Sequence, residues 1–196
     1  MNSTRRIHLT TGGLVLAGGM LLGTTACASG ASDLGSSLRE SVEVDAVTVG
    51  TTTSGGTTIL AMASVGSSVF SIGQSNTDIR FGATFDGSDP DENWETFGNP
   101  VDVASDDFTV VNPGNSPDAA PGGIAHVGGQ VGTDVASLDI IVDDGSTVSA
   151  SITDGFYVAA WLGADFSDSD TLDAKFVLTL VDGSSSTVGY LELSEG

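Results

Sequence analysis

Apolar and polar residues alternate with a period of two over most of the chain after residue 42, and extended helical spacing is absent there. Short runs rich in β-branched and aromatic residues, bounded by Gly, Ser, Asn and Asp, are typical of β-strands. The strands predicted in this way are residues 42–49 (with an irregularity near the middle), 57–65, 69–72, 78–85, 108–111, 135–142, 147–152, 156–162, 172–180 and 188–193.

The turns between these runs predict how the strands pair. Asp-Gly pairs occur at 144–145, 154–155 and 182–183, and such pairs tolerate the positive φ of tight hairpin turns. Residues 86–107 are expected to be mostly loop, pinned to the core by Trp94 and Phe97, and residues 112–123 a long surface connection. The prediction is an all-β domain over residues 42–196, an antiparallel sandwich or partial barrel of about 8–10 strands, with its clearest meander at 126–193.

The first 26 residues have a different pattern. Arg5 and Arg6 precede an apolar run over residues 14–22, and small residues follow up to Ala26. This order is typical of a secretory signal, and a run of about ten residues is half of the ~20 that span a bilayer as a helix. We therefore expect a helical signal peptide at 1–26 and, from the Ala, Ser, Gly and Asp that follow, a flexible tether at 27–41.

The end of this segment holds the only cysteine of the chain, Cys27. The stretch Leu21-Leu22-Gly23-Thr24-Thr25-Ala26-Cys27 resembles the lipobox of bacterial lipoproteins. The resemblance implies that Cys27 is acylated, for example with palmitate, and becomes the mature N-terminus on the extracytoplasmic face of the cell membrane. A plain secretory signal cleaved nearby and a free structural thiol are the alternatives.

A second resemblance overlaps the first. Thr4-Arg5-Arg6-Ile7-His8-Leu9-Thr10 is similar to the twin-arginine export motif, which implies export of an already folded protein. Ordinary signals also carry adjacent arginines, so both export routes remain open.

The charge of the chain narrows the class of partner. All 26 acidic residues follow Cys27, where the only basic ones are Arg39, Arg80 and Lys175. With His126 neutral, 26 negative and three positive charges give the mature chain a net charge of −23. Such a chain is not expected to bind nucleic acid or anionic lipid headgroups, since both require basic residues. The acidity is consistent with a salty environment or with a biased codon usage.

Candidate catalytic groups are sparse. His126 is the only histidine after Cys27, there is no Gly-x-Ser-x-Gly segment, and a His or Cys metal site lacks ligands. We expect His126 at the surface or at a strand edge, and we expect neither a catalytic residue nor a cofactor. Pairs among the many aspartates leave a glycosidase-like hydrolase as the alternative.

Two further features suggest binding. Hard cations such as Ca²⁺ prefer clustered oxygens on a loop, and two acidic clusters have that character. We nevertheless expect each cluster to be a solvated acidic loop and expect no metal site. The clusters are Asp86, Asp89, Asp91, Asn93 and Glu95, and Asp165, Asp168, Asp170 and Asp173. Tyr157 and Trp161 share one face of a predicted strand, where an exposed pair would suit sugar stacking and a buried pair would pack under a loop.

The last third has a resemblance of its own. The segments 129–135, 144–145, 154–157 and 160–161 together resemble a β-rich region of uncharacterised exported or membrane-anchored actinobacterial proteins, over residues 126–193, and this resemblance implies no activity. The expected function is that of a lipid-anchored envelope protein, a non-enzymatic binding or structural module whose partner is an envelope protein or a glycan.

Overall fold

The computed structural model describes residues 48–85, 88, 91, 93–163, 166 and 174–194. These residues form twelve strands and one short helix. In chain order they are β1 (Thr58–Val65), β2 (Ser68–Ser75), β3 (Asp78–Thr84), β4 (Trp94–Gly98), β5 (Val111–Ser116), β6 (Ile124–Gln130), β7 (Val135–Ile141), β8 (Thr147–Ser149), β9 (Ser151–Thr153), β10 (Phe156–Leu162), β11 (Lys175–Leu180), β12 (Ser185–Gly189) and α1 (Tyr190–Ser194).

The strands form three four-stranded sheets, and every pairing is antiparallel. The front sheet has the order β1-β2-β3-β4, the central sheet β5-β6-β10-β9 and the back sheet β12-β11-β7-β8. The all-β, antiparallel, sandwich-like fold expected from the pattern is thereby confirmed. The strands within the described residues outnumber the 8–10 that were predicted.

The central sheet is covered on both faces. Along β10, Tyr157, Ala159 and Trp161 pack with the back sheet in one hydrophobic cluster, which includes Leu138 and Phe176. The alternate residues Phe156, Val158 and Ala160 pack with the front sheet in a second cluster, which includes Phe70 and Phe81. Successive strand residues point to opposite faces, so a strand with core on both sides is a nearly continuous apolar run, as the sequence of β10 is.

The three Asp-Gly turns form hairpins as expected. Asp154 and Gly155 both have positive φ, 49° and 80°, and they join β9 to its neighbour β10. Gly145 lies between β7 and β8, and Gly183 between β11 and β12, each also with positive φ. The hairpins do not form one continuous meander, however. The predicted strand 147–152 is divided at Ala150, where the chain leaves the back sheet and joins the central sheet.

Three strands lie where the pattern predicted no strand. β4 occupies part of residues 86–107, and β5 begins where a strand at 108–111 was expected to end and continues into the predicted connection 112–123. The third strand, β6, lies where neither a strand nor a loop was assigned. Phe97, which was expected to pin residues 86–107 to the core, is 38% exposed. In β5 the positive φ of Asn112 and a shift of register between Val111 and Gly114 form a bulge on an edge strand. A bulge at an edge accommodates Pro113, which has no N–H to donate.

The predicted last strand, residues 188–193, is also wrong in its second half. β12 ends at Gly189, and α1 follows. Residues three apart lie on the same face of a helix but on opposite faces of a strand. The helical turn therefore brings both Tyr190 and Leu193 against the back core, where the structure places them.

The start of the described chain differs from prediction as well. Val49 was expected in a strand, but it lies in a turn and is 41% exposed. Residues 42–47 of that predicted strand lie outside the described residues. Within the described ranges, no helix has the length and apolar character needed to cross a membrane.

Candidate functional site

The structure does not describe several of the residues singled out in the sequence. Cys27, the signal segment 1–26 and the tether 27–41 lie outside the described residues. So do two members of the first acidic cluster, Asp86 and Asp89, and the whole of the second, which comprises Asp165, Asp168, Asp170 and Asp173.

Asp91 belongs to the first cluster and has a clear structural role. Its carboxylate accepts hydrogen bonds from the Thr53 hydroxyl (2.5 Å), the Ser54 hydroxyl (2.5 Å) and the Gly55 N–H (2.6 Å). These bonds, the one from Ser54 foremost, lower the pKa of Asp91 below its usual 3.8. Asp91 therefore anchors the loop that precedes β1.

Two other members of the first cluster are described. Asn93 and Glu95 are exposed. Over the described part of the chain, no three His, Cys, Asp or Glu side chains come together in a way that could hold a metal ion.

Tyr157 and Trp161 are both buried, which excludes a sugar-stacking pair at this position. Tyr157 has no exposed surface, and Trp161 retains 7%. The Tyr157 hydroxyl donates to the Thr109 carbonyl at 2.9 Å, and burial raises the pKa of Tyr157 far above its usual value. The two residues do share a face of β10, as predicted, but that face is core beneath the back sheet.

His126 is not at the surface or at a sheet edge. It lies on β6, inside the central sheet, and is 7% exposed. Its imidazole stacks between the rings of Phe70 and Phe81, with centroid distances of 4.7 and 5.3 Å and interplanar angles of 20° in both cases. The prediction of an exposed histidine is therefore wrong.

The surroundings of His126 determine its protonation. Burial lowers the pKa of His126 from 6.5 to about 4. A hydrogen-bonding interaction with the backbone of Ile124 acts in the opposite direction and offsets part of the shift. Nδ1 is buried without a hydrogen-bond partner among the described residues. At neutral pH the side chain is therefore an uncharged member of the front core.

A cleft opens where one end of the front sheet meets the central sheet. Its volume is about 530 Å³, within the range of roughly 300–1,000 Å³ common for small-molecule sites. Eight described residues line it, and they come from the β1–β2 turn, the residue after β3, and the end of β5 with the turn that follows. They are Ser67, Ser68, Phe85, Asn115, Ser116, Pro117, Asp118 and Ala119.

The wall formed by Phe85 is held in place from two sides. The Phe85 ring meets Phe70 edge to face with a centroid distance of 6.2 Å. The Phe85 N–H donates to the Ser88 hydroxyl, which in turn donates to the Phe85 carbonyl, at 2.8 and 2.9 Å. Phe85, Phe70, His126 and Phe81 therefore form one aromatic row that runs from the cleft into the front core.

The opposite wall is a short turn after β5. The Ala119 N–H donates to the Ser116 carbonyl at 3.2 Å, and this closes the turn that presents Pro117 and Asp118. The side chain of Asn115 donates from Nδ2 to the Gly163 carbonyl at 3.0 Å, which ties the turn to the end of β10. Both walls are thus preorganised by contacts within the fold.

The chemistry of the lining is mixed. Its described residues combine three serine hydroxyls, of which that of Ser68 belongs to a buried residue, with one amide, one carboxylate and one aromatic ring, and none of them is a lysine or an arginine. Hydroxyl and amide groups both donate and accept hydrogen bonds, whereas a carboxylate accepts only. These residues come from segments far apart in the chain, so no local motif in the sequence indicated them.

Comparison with protein-family models, curated proteins and solved structures finds no match to this chain.

Proposed function

We propose that this protein is a lipid-anchored binding module of the cell envelope, without enzymatic activity. Acyl chains on Cys27 hold it at the extracytoplasmic face of the membrane, and residues 27–41 separate the β domain from the bilayer. The support for the anchor is the charged, apolar and small-residue order of 1–26, which ends directly at the single cysteine.

The observation that carries the binding role is the cleft at the end of the front and central sheets. It brings polar groups and one aromatic ring together on a concave surface, and a concave surface with convergent polar groups is where a ligand site is expected. The single histidine of the domain, by contrast, packs in the aromatic row and is not among the described residues that line the cleft, which supports a binding role over a catalytic one.

The alternative, a hydrolase that uses aspartates, requires two carboxylates on either side of the scissile bond. The described lining of the cleft supplies Asp118 alone. The overall charge, −21 for the full chain, opposes nucleic acid and anionic lipid as partners. An envelope glycan or an envelope protein remains as the partner class.

The test combines localisation and turnover in one set of strains. Membrane and soluble fractions are compared for the wild type and Cys27→Ser, and extracts of both are assayed on glycoside and ester substrates. We expect the variant to be released from the membrane or to keep an uncleaved signal, and we expect no turnover in either protein. Turnover that Asp118→Asn abolishes would replace the binding module with the hydrolase.

A further inference from the structure

We propose that the cleft binds an uncharged glycan segment, with the Phe85 ring against a sugar face and Ser67, Ser116 and Asp118 bonded to sugar hydroxyls. This inference rests on the proposed binding role and adds the class of ligand.

The polar groups of the cleft match a polyhydroxylated ligand. Sugar hydroxyls donate and accept at once, and the serines of the lining do the same, so either direction of hydrogen bond can form. Asp118 is exposed at the rim, and a carboxylate is an acceptor for which a hydroxyl is a suitable donor. The hydroxyl-rich lining therefore suits a ligand with many hydroxyl groups.

Phe85 supplies the apolar part of the site. The C–H face of a sugar ring is apolar and packs well on an aromatic ring, which contributes both buried area and a fixed orientation. Phe85 is half-buried, its ring packs edge to face on Phe70, and Ser88 holds its backbone. Little conformational freedom is lost when a ligand packs on a ring that is already fixed.

Charge excludes the other common ligands of clefts this size. A phosphate or carboxylate ligand would meet Asp118, and no lysine or arginine stands among the described lining residues to offset its charge. The contact would be repulsive in a chain of net charge −21. An organic cation is the nearest competitor, since it would be attracted to Asp118 and to the Phe85 ring. It would leave the serine hydroxyls of the lining without ligand partners, and for that reason we favour the neutral glycan.

The test is calorimetric titration of the full chain in detergent micelles. The probes are neutral trisaccharides (cellotriose, maltotriose, mannotriose and N-acetylchitotriose), the anionic trigalacturonate, and choline as the organic cation. We expect saturable binding of at least one neutral trisaccharide and none of trigalacturonate or choline.

Matched variants locate the site. Phe85→Leu keeps an apolar side chain on Phe70 but removes the aromatic face, and should weaken binding about tenfold. Phe97→Leu is its control, because Phe97 is an exposed phenylalanine on β4 outside the cleft.

Asp118→Asn should weaken binding several-fold. Its control is Asp106→Asn, which changes another exposed aspartate outside the lining and should leave binding unchanged. Circular dichroism verifies that each variant retains the wild-type fold, and Asp118→Asn changes only an exposed side chain.

The outcomes separate the two proposals. Binding of choline overturns the glycan inference. Trisaccharide binding whose affinity in Phe85→Leu and Asp118→Asn equals that of the wild type overturns it as well. Either result leaves the binding module standing. An absence of saturable binding to every neutral trisaccharide overturns it too. Trisaccharide cleavage that Asp118→Asn abolishes overturns the proposed function itself.

Discussion

The imidazole of His126 stacks on the ring of Phe70 with a centroid distance of 4.7 Å and an interplanar angle of 20°. One ring belongs to the central sheet and the other to the front sheet, so this contact joins the two layers. A polar ring in this position carries a free-energy cost, because its Nδ1 is buried without a hydrogen-bond partner among the described residues. The contact therefore makes the attachment of the front sheet sensitive to pH.

The first prediction concerns that sensitivity. The pKa of His126 is about 4 in the folded protein against 6.5 ordinarily, so between these values the unfolded chain binds a proton that the folded one does not. The free energy of unfolding therefore keeps its full contribution from a neutral His126 above about pH 6.5. This contribution is lost as the pH falls through about 4, and the free energy of unfolding changes by about 3 kcal/mol. Phe70, Phe81 and Gly114 surround the ring and none of them titrates.

Chemical denaturation of the wild type and His126→Leu from pH 4 to pH 7 measures this effect. The wild type should gain stability with rising pH across the window, and the leucine variant should lose most of that slope. Equal slopes in the two proteins would show that the histidine is protonated in the fold or that other groups dominate.

The second prediction concerns the loop before β1. Asp91→Asn should lower the free energy of unfolding by about 1 kcal/mol, because the Ser54 and Thr53 hydroxyls and the Gly55 N–H lose a charged acceptor. Since the pKa of Asp91 is lowered below 3.8, its contribution is present above about pH 4 and is lost as the pH falls further. Glu95→Gln, a change of an exposed carboxylate close by, is the matched control in urea unfolding at pH 7. A loss of the same size in the control would mean that general charge, and not the anchoring bonds, accounts for the effect.

The third prediction uses the packing of Trp94 on the front sheet. A Cβ at Gly82 would lie 2.7 Å from Cε3 of Trp94 and 2.8 Å from Cδ2, so Gly82→Ala should push the indole off the sheet at a cost of about 1–2 kcal/mol. The chain has two tryptophans and Trp161 is buried in the core, so a red shift of emission would report Trp94. Gly189→Ala is the control, because its added Cβ meets nothing closer than 3.8 Å. An unshifted spectrum in Gly82→Ala would place the indole elsewhere.

The sequence predicted β10 and the turn before it well, because a strand buried on both faces is a nearly continuous apolar run and an Asp-Gly pair tolerates positive φ. The run at 156–162 has the bounds of β10, and the turn at Asp154–Gly155 has the positive φ that the residue types imply. The same run did not reveal that both of its faces are core. A strand covered on one side by a sheet and on the other by a loop would have the same composition.

The central strand β6 was missed because its pattern is interrupted. His126 is polar, and Gly128 and Gly129 have weak strand preference, yet close packing requires both glycines. A Cβ at Gly128 would lie 2.7 Å from the Phe81 ring, and one at Gly129 would lie 2.0 Å from the Thr109 carbonyl oxygen. These constraints come from neighbours distant in the chain, as do the walls of the cleft, so local periodicity could not indicate them.

The fourth prediction concerns Cys27. Cys27→Ser should remove the acyl chains and release the protein from the membrane or leave it with an uncleaved signal, because the strongly acidic chain lacks an electrostatic means of attachment. Metabolic labelling with a fatty-acid analogue should mark the wild type and the control Ser29→Ala, and not the cysteine variant. Membrane association without label in the wild type would remove the lipoprotein hypothesis.

The last prediction separates a solvated acidic surface from a calcium site. Repulsion among exposed carboxylates is screened over ~10 Å at 0.1 M salt and ~3 Å at 1 M, so the melting temperature should rise gradually with sodium or potassium chloride. A calcium site in the first acidic cluster would instead give stabilisation that saturates at low calcium, at fixed ionic strength. Asp91, the described aspartate of that cluster, already accepts hydrogen bonds from Thr53, Ser54 and Gly55, and a cation there would compete with those donors. We therefore expect the gradual rise of the melting temperature with salt. A saturable stabilisation by calcium that disappears in Asp89→Asn but persists in the control Asp106→Asn would establish the metal site instead.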